Sequence, residues 1–161
     1  ELIGARGVLL HYDRESCVRL PHPLGGDPLL APPPEELYDA CVVCESPPFG
    51  SNEYPCYMIP RGDTIVVGGT YLEGDQEPTM RPSERERLLE SAAILGIDTK
   101  ASQPKGEWVG FRPYRPTTRC EIDGNHTSES IKLVHSYGTG GSGWTVYTGM
   151  AKDAADMILN K

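Results

Sequence analysis

The sequence lacks any run of roughly 18 consecutive apolar residues, the length that a helix needs to span a bilayer. Basic residues are outnumbered too: 15 Lys and Arg stand against 23 Asp and Glu, and the formal net charge is -8 at pH 7. A nucleic-acid-binding domain usually presents a basic face, which this balance does not favour. We therefore expect neither a membrane span nor a nucleic-acid partner.

An initiator methionine is missing as well. The chain begins with Glu1 in a strand-like segment, without a signal peptide or a transit peptide. Its 161 residues suffice for one well-packed domain but are too few for two full ones. We interpret the chain as an excised piece or as a processed product.

The cysteines do not form the even, closely spaced set that is typical of a disulfide framework. The five are scattered along the chain, which favours reduced thiols and an intracellular origin. Cys41 and Cys44 spell C-x-x-C, but the residues around them resemble a strand, in which positions three apart point to opposite faces. We therefore expect no shared metal or redox bond there and predict no metal site.

The most informative stretch is the last thirty residues. The apolar run Ile131–His135 precedes a glycine cluster and a helical pattern, so we predict a strand, a glycine loop and a helix. Gly138, Gly140 and Gly143 give a formal G-x-G-x-x-G, whose free backbone N–H groups at a helix start favour anionic or electron-rich ligand atoms.

The position of this loop argues against an ordinary dinucleotide site. A complete unit needs a second strand with an acidic residue about 20 residues further on, whereas only 18 residues follow Gly143. One amphipathic helix uses all of them, with apolar residues recurring every four positions at Val146, Met150, Ala154 and Ile158. The pattern fits a ligand cradle and a plain tight turn equally well.

The rest of the chain indicates an α+β fold with a mixed, largely antiparallel twisted sheet, one inserted helix and the C-terminal strand, loop and helix. A capping box at Ser83 and Glu86 predicts the helix start, and Gly96 its end. The predicted strands are Gly7–Tyr12 after a turn at Gly4–Gly7, Leu37–Glu45, Cys56–Pro60, Thr64–Thr70, Glu107–Phe111, Thr118–Ile122 and Ile131–His135.

Two loop features accompany these strands. The proline-rich stretch between Leu20 and Glu36 predicts a surface excursion. Arg61–Asp63 predicts a hairpin tip, and the second arm of that hairpin ends in Gly68 and Gly69. Such glycines indicate either the close approach of a backbone or ligand, or a bulge.

Three motifs in this order resemble the FAD-dependent D-amino acid oxidases. Tyr57–Arg61 with Val67–Thr70 resembles the family's Y-I-I-P-R…L-G-G-T, and Gly110–Pro116 with Arg119 is similar to its G-x-R-P-x-R-P…R. Val134–Gly143 resembles its V-I-H-N-Y-G-H-G-G-Y-G. The resemblance implies a substrate-binding domain in residues 1–130, and in residues 131–161 the last strand, loop and helix of a flavin domain.

The resemblance also implies roles for single residues. Arg112 would bind the substrate carboxylate, joined by the Tyr57 hydroxyl, and the Gly141 carbonyl would accept the substrate amine. The implied FAD-binding residues are Gly140, Gly141, Ser142, Gly143, Trp144 and Thr145. Without the resemblance, Arg112 would be read as a surface ion-pair residue and Tyr57 as an ordinary strand tyrosine.

The implied reaction is hydride transfer from a D-amino acid to FAD, with molecular oxygen as the final acceptor and a 2-oxo acid, ammonia and hydrogen peroxide as products. We expect the isolated chain to be inactive, because the N-terminal flavin-binding half is missing. The resemblance also allows a homodimer of the complete protein. The family also implies a peroxisomal location, although the chain ends in Leu159, Asn160 and Lys161 and carries no targeting signal.

The chain departs from the family pattern at Glu53, Ser142 and Trp144, so its side-chain preference stays open. Glu53 stands where vertebrate members carry a second active-site tyrosine, and we expect its carboxylate to disfavour acidic substrates. A non-catalytic binding or structural domain, and an oxidase for glycine or secondary amines, are the alternative functions.

Overall fold

The computed structural model describes residues 1–20, 39–128 and 130–159. The strands are β1 (Ile3–Asp13), β2 (Val42–Cys44), β3 (Cys56–Arg61), β4 (Thr64–Gly68), β5 (Leu72–Glu73), β6 (Gly106–Ile122) and β7 (Val134–Thr139). The helices are α1 (Pro82–Ile94) and α2 (Gly143–Leu159), and a 3-10 turn at Gly140–Ser142 precedes α2.

The strands form a seven-stranded sheet in the order β2-β3-β4-β1-β6-β7, with β5 beside β1. The β1–β4, β2–β3, β3–β4 and β6–β7 pairs are antiparallel. The predicted fold class is therefore confirmed. The proline-rich excursion lies almost entirely outside the described residues, as does the start of the strand predicted at Leu37–Glu45, of which Val42–Cys44 is a strand.

The chain divides into two compact units. The hairpin unit comprises Arg6–Leu72 and Gln76–Gly110, and the C-terminal unit comprises Glu1–Ala5, Glu73–Asp75 and Phe111–Lys161. The predicted boundary at residue 130 stays a prediction.

The core of the hairpin unit lies between its strands and α1. Alternate residues of β1, β3 and β4 point to one face, which is the pattern of a sheet covered on that side. Leu88 and Ala92, one helical turn apart on α1, cover this face. The buried cluster consists of Val8, Leu10, Tyr12, Met58, Ile65, Val67, Leu88, Ala92 and Ile97.

The hairpin and α1 are present where the sequence predicts them, but α1 begins earlier. Its N-cap is Arg81, and Glu84 reaches back to accept the Arg81 backbone N–H at 2.8 Å. The predicted capping box at Ser83 and Glu86 is therefore wrong, because Glu84 is held in the capping position by Arg6. The helix ends before Gly96, as predicted.

Several strand boundaries also differ from the prediction. Gly4–Gly7 belongs to β1 and forms no turn. The strands predicted at Glu107–Phe111 and Thr118–Ile122 are one strand, β6. Its pairing with β7 shifts register between Tyr114 and Arg119, and this irregularity accommodates Pro116, which has no N–H for a regular ladder.

The last strand begins at Val134 instead of Ile131. Residues 131–133 close a loop: the Ile131 N–H bonds the Ser128 hydroxyl at 3.2 Å, and the Leu133 N–H bonds the Thr127 hydroxyl at 3.3 Å. These side chains compete with strand pairing for the backbone donors.

The C-terminal unit places α2 beside β7. Of the apolar residues on α2, Met150, Ala154 and Met157 are half-buried, whereas Val146 and Ile158 are 38% and 49% exposed. The predicted amphipathic helix is present, but much of its apolar surface is open. No helix in residues 1–20, 39–128 and 130–159 is long and apolar enough to cross a membrane.

Candidate functional site

The predicted glycine loop is a short 3-10 turn between β7 and α2. Gly138 and Gly140 adopt φ values of +89° and +57°, which side-chain-bearing residues rarely adopt. Gly138 also has no room for a side chain, because an added Cβ would lie 2.5 Å from Cδ of Arg115. The backbone conformation therefore explains why glycine occupies these two positions, without reference to a ligand.

Arg112 lies against this turn. A Cβ built on Gly141 would lie 3.5 Å from Cδ and 3.7 Å from Nε of Arg112, which is ordinary van der Waals contact. Gly141 is itself exposed and Arg112 is half-buried. The structure thus brings together two of the three residues that the resemblance assigns to the substrate.

The other residues of the predicted cofactor site follow directly along the chain. Ser142 and Thr145 are exposed, and Trp144 is 86% exposed and stacks on Tyr147 with ring centroids 5.2 Å apart. The first turn of α2 contains no acidic residue. Its backbone N–H groups therefore face no carboxylate from their own helix, and the positive end of the helix dipole stays available to a ligand.

Tyr57 lies in the hairpin unit, on β3, opposite Gly68 of β4. Its ring covers Gly68 and Gly69: a Cβ on Gly68 would lie 2.2 Å from Cζ of Tyr57, and one on Gly69 would lie 2.7 Å from its hydroxyl oxygen. The sequence did not indicate this aromatic neighbour. The predicted approach of a backbone is confirmed at Gly69, whose N–H bonds the Pro55 carbonyl at 2.7 Å, and the approach of a ligand stays a prediction.

Glu53 is exposed, in the loop that precedes β3. The loop is held by its backbone, since the Glu53 carbonyl accepts the Tyr71 N–H at 2.7 Å and the Pro55 carbonyl accepts the Gly69 N–H at 2.7 Å. The Glu53 carboxylate is therefore carried by an anchored backbone.

The two other arginines of the second motif make structural contacts. Arg119 donates to the Tyr137 hydroxyl at 3.0 Å and to Glu121 at 2.6 Å, and these bonds raise the pKa of Arg119. Arg115 donates to the Thr117 carbonyl at 3.2 Å, and its guanidinium lies 5.5 Å from the Tyr137 ring centroid.

Sequence reasoning missed a polar cluster around Asp123. One carboxylate oxygen accepts the N–H groups of Asn125 and His126 at 2.9 and 3.2 Å, and the other contacts His135 Nε2 at 2.9 Å and His126 Nδ1 at 3.1 Å. The bonds from His135, then from His126, hold the pKa of Asp123 well below its usual range. Asp123-Gly124-Asn125 is a turn-forming sequence that could have indicated the local part.

It also missed two arginines of the hairpin unit. Arg6 is fully buried and paired with Glu84, and Arg87 connects α1 to Gly69. Neither has a local signal, because each partner is distant in the sequence. All five cysteines are free thiols, and the described part of the chain contains no group of three or more His, Cys, Asp or Glu that could hold a metal ion.

Comparison with known proteins extends these observations to the whole chain. Residues 5–157 match the family model described as FAD dependent oxidoreductase. The D-amino-acid oxidase of Rubrobacter xylanophilus is 33% identical over 62% of this chain and 30% of its own length. D-aspartate oxidase 1 of Caenorhabditis elegans is 29% identical over 68% of this chain and 34% of its own length.

Solved structures share the fold. Glycine oxidase from Geobacillus kaustophilus matches 98% of this chain and 35% of its own chain, with a TM-score of 0.65 and 19% identity. The chain spans about a third of the length of the curated relatives it matches. With the family model matching almost from end to end, the chain belongs to the FAD-dependent oxidoreductase family that includes the D-amino acid oxidases.

Proposed function

We propose that the protein containing this chain oxidises D-amino acids with FAD, and that the chain supplies the residues that bind the amino acid. A D-amino acid, water and oxygen would give a 2-oxo acid, ammonia and hydrogen peroxide. The observation that carries the proposal is the placement of Arg112 against Gly141 at the start of α2. The Arg112 guanidinium, which can bind a carboxylate, lies beside a turn whose backbone is not covered by large side chains.

The residues of the glycine turn fit the family's cofactor. Gly140–Ser142 and the start of α2 present backbone without bulky side chains, apart from the exposed Trp144. The first turn of α2 lacks an acidic residue, so its N–H groups and helix dipole suit an electron-rich ring edge. When bound, FAD supplies the hydride acceptor that no side chain can provide. Residues 131–161 would thus contribute to the FAD-binding domain.

The chain's own residues would orient the amino acid. The planar guanidinium of Arg112 can donate two parallel hydrogen bonds to the substrate carboxylate. The Tyr57 hydroxyl would add a donor to the same carboxylate, and the Gly141 carbonyl would accept an N–H of the substrate amine. Held at both ends, the substrate presents its α-hydrogen in one direction, which is a positioning contribution to the rate.

The test measures turnover by the FAD-loaded protein that contains this chain. The substrates are D-alanine, L-alanine, glycine and sarcosine, and the signal is the release of hydrogen peroxide. Arg112→Met should raise the KM for D-alanine by roughly 100-fold, because hydrogen bonds between charged groups contribute about 1.5 to 3 kcal/mol each. Arg14→Met is the matched control, since Arg14 pairs with Asp39 on the surface at 2.5 Å.

Each outcome has a distinct meaning. Faster turnover of glycine or sarcosine than of D-alanine would favour the alternative amine oxidase. A protein that binds FAD but oxidises none of the four would favour a non-catalytic domain. An Arg112→Met variant with the KM of the Arg14→Met control would remove Arg112 from the site.

A further inference from the structure

Arg87 on α1 holds two backbone segments at once. Its Nη2 donates to the Gly69 carbonyl at 2.5 Å, and its Nη1 lies 3.4 Å from the Tyr54 carbonyl. The guanidinium also covers the Tyr54 ring, 4.6 Å from the centroid. A planar group with donors on two sides can make all three contacts, whereas an ammonium group cannot.

These two segments are joined to each other. Gly69 donates its N–H to Pro55, and Tyr71 donates its N–H to Glu53, both at 2.7 Å. The loop that contains Glu53 and Tyr54 is therefore attached to the end of β4, and Arg87 bonds to both sides of the attachment.

Tyr57 rests on the same segment. Its ring lies on Gly68 and Gly69, so closely that a single added carbon on either glycine would overlap it. A shift of the Gly69 carbonyl would consequently move the surface that supports the Tyr57 phenol. Arg87 therefore influences the position of the Tyr57 hydroxyl indirectly, through the Gly69 backbone on which the Tyr57 ring lies.

Burial reduces the net stabilisation that Arg87 can provide. Arg87 is half-buried, and desolvation lowers its pKa. Its Nε is buried and has no hydrogen-bond partner in the part of the chain that the structure describes. A partly desolvated arginine with one unsatisfied donor contributes little net stability, so the role of Arg87 lies in the geometry that it imposes around Tyr57.

We propose that Arg87 is a positioning residue for substrate binding: it fixes the Gly68–Gly69 support of Tyr57 and the loop that carries Glu53. The proposal rests on the proposed function, since it assigns Tyr57 to the substrate carboxylate. It predicts that the loop around Glu53 is anchored through α1 and that loss of Arg87 shifts the Tyr57 hydroxyl.

The experiment compares Arg87→Lys, Tyr57→Phe and the double variant in the FAD-loaded protein containing this chain. Arg85→Lys is the control, because Arg85 lies on the same helix and makes an exposed ion pair with Glu107 at 2.7 Å. Arg87→Lys should raise the KM for D-alanine by roughly five- to thirtyfold and leave kcat within about twofold, since a carboxylate contact acts equally on bound substrate and transition state. In the Tyr57→Phe background, Arg87→Lys should raise the KM no further.

Additive effects of the two substitutions would show that Arg87 does not act through the Tyr57 hydroxyl, and would overturn the proposal. A KM equal to that of Arg85→Lys would do the same, as would failure of Arg87→Lys to fold, which would make Arg87 a stability residue.

A separate measurement distinguishes this proposal from the proposed function. If the wild-type protein oxidises no D-amino acid, the proposed function fails, but amide hydrogen exchange still reports on the anchor. Exchange at Gly69 and Tyr71 should then be at least roughly fivefold faster in Arg87→Lys than in Arg85→Lys, because one charge-assisted hydrogen bond is lost. Equal exchange rates would mean that Arg87 anchors neither segment.

Discussion

At the scale of single residues, Arg6 is expected to contribute strongly to stability, although no sequence motif indicates this. It is fully buried, donates to the Glu77 and Thr79 carbonyls at 2.6 Å each, and forms an ion pair with Glu84. Glu84→Gln should lower the free energy of unfolding by about 3 to 5 kcal/mol, since it removes the carboxylate charge that is paired with a buried guanidinium. Urea unfolding measures this, with the exposed Glu86→Gln as control. Equal midpoints for the two variants would contradict the prediction.

The same pair predicts a dependence on pH. Burial raises the pKa of Glu84, but the hydrogen bonds from Arg6 and from the Arg81 N–H, with the charges of both arginines, lower it overall. A carboxyl whose pKa is lower in the folded state stabilises the fold above its unfolded pKa, about 4.3, and loses that contribution as the pH falls below it. Unfolding midpoints measured from pH 7 to pH 3 should therefore decline below about pH 4.5, and less steeply in Glu84→Gln.

Substitution of the buried Tyr12, unlike that of Glu84, should not destabilise the fold. Its hydroxyl is buried and has no hydrogen-bond partner in the described part of the chain, and burial raises its pKa to about 12. Tyr12→Phe removes an unsatisfied group and keeps the ring, so stability should stay equal or rise by up to about 1 kcal/mol. Thermal unfolding reports the change. A clear loss of stability in Tyr12→Phe would contradict the prediction, because it would reveal a hydrogen bond to the hydroxyl.

At the scale of elements, local signals were enough where a turn residue separates two periodic segments. The hairpin at Gly62, the end of α1 before Gly96 and the strand, turn and helix around Gly140 were all predicted. The start of α1 was not predicted, because Glu84, which accepts the N–H of the N-cap residue, is held in place by Arg6, 78 positions away. Nor was the start of β7, because side chains of the preceding loop bind the N–H groups of Ile131 and Leu133, which the prediction had placed in the strand.

The candidate site divides in the same way. The glycine turn follows from local residue types, whereas the contact between Arg112 on β6 and Gly141 in the turn joins segments that periodicity alone could not bring together. Only the ordered motifs indicated it. Arg87 has neither a local pattern nor a motif, and its contacts with Tyr54 and Gly69 depend on how α1 packs on the hairpin.

The loop between β6 and β7 depends on one carboxylate. Asp123 accepts bonds from two backbone N–H groups and contacts two histidine rings, and its own N–H bonds the Leu133 carbonyl at 2.8 Å. Asp123→Ala should accelerate amide exchange at Asn125 and His126, since both N–H groups lose their acceptor. Asp153→Ala on exposed α2 is the control. Unchanged exchange in Asp123→Ala would mean that other contacts hold the loop.

At the scale of the whole molecule, the expected affinity for FAD follows from what the chain contains. A glycine turn leads into the N-terminus of α2, and within the described residues no strand follows α2. A dinucleotide unit uses an acidic residue on such a strand for the ribose, and the part of the chain that the structure describes offers no such residue after α2. The curated relatives are about three times as long as this chain.

We therefore expect the isolated chain to fold and to bind FAD weakly or not at all. The measurement is a titration of FAD into the purified chain, followed by flavin fluorescence and visible absorbance, with D-alanine then added without oxygen. Far-ultraviolet circular dichroism of the same sample establishes that the sheet is formed, so weak binding cannot be attributed to unfolding. Saturation at micromolar FAD, followed by bleaching with D-alanine, would contradict the expectation. It would show that the glycine turn, Arg112 and Tyr57 form a working site without a second dinucleotide-binding element.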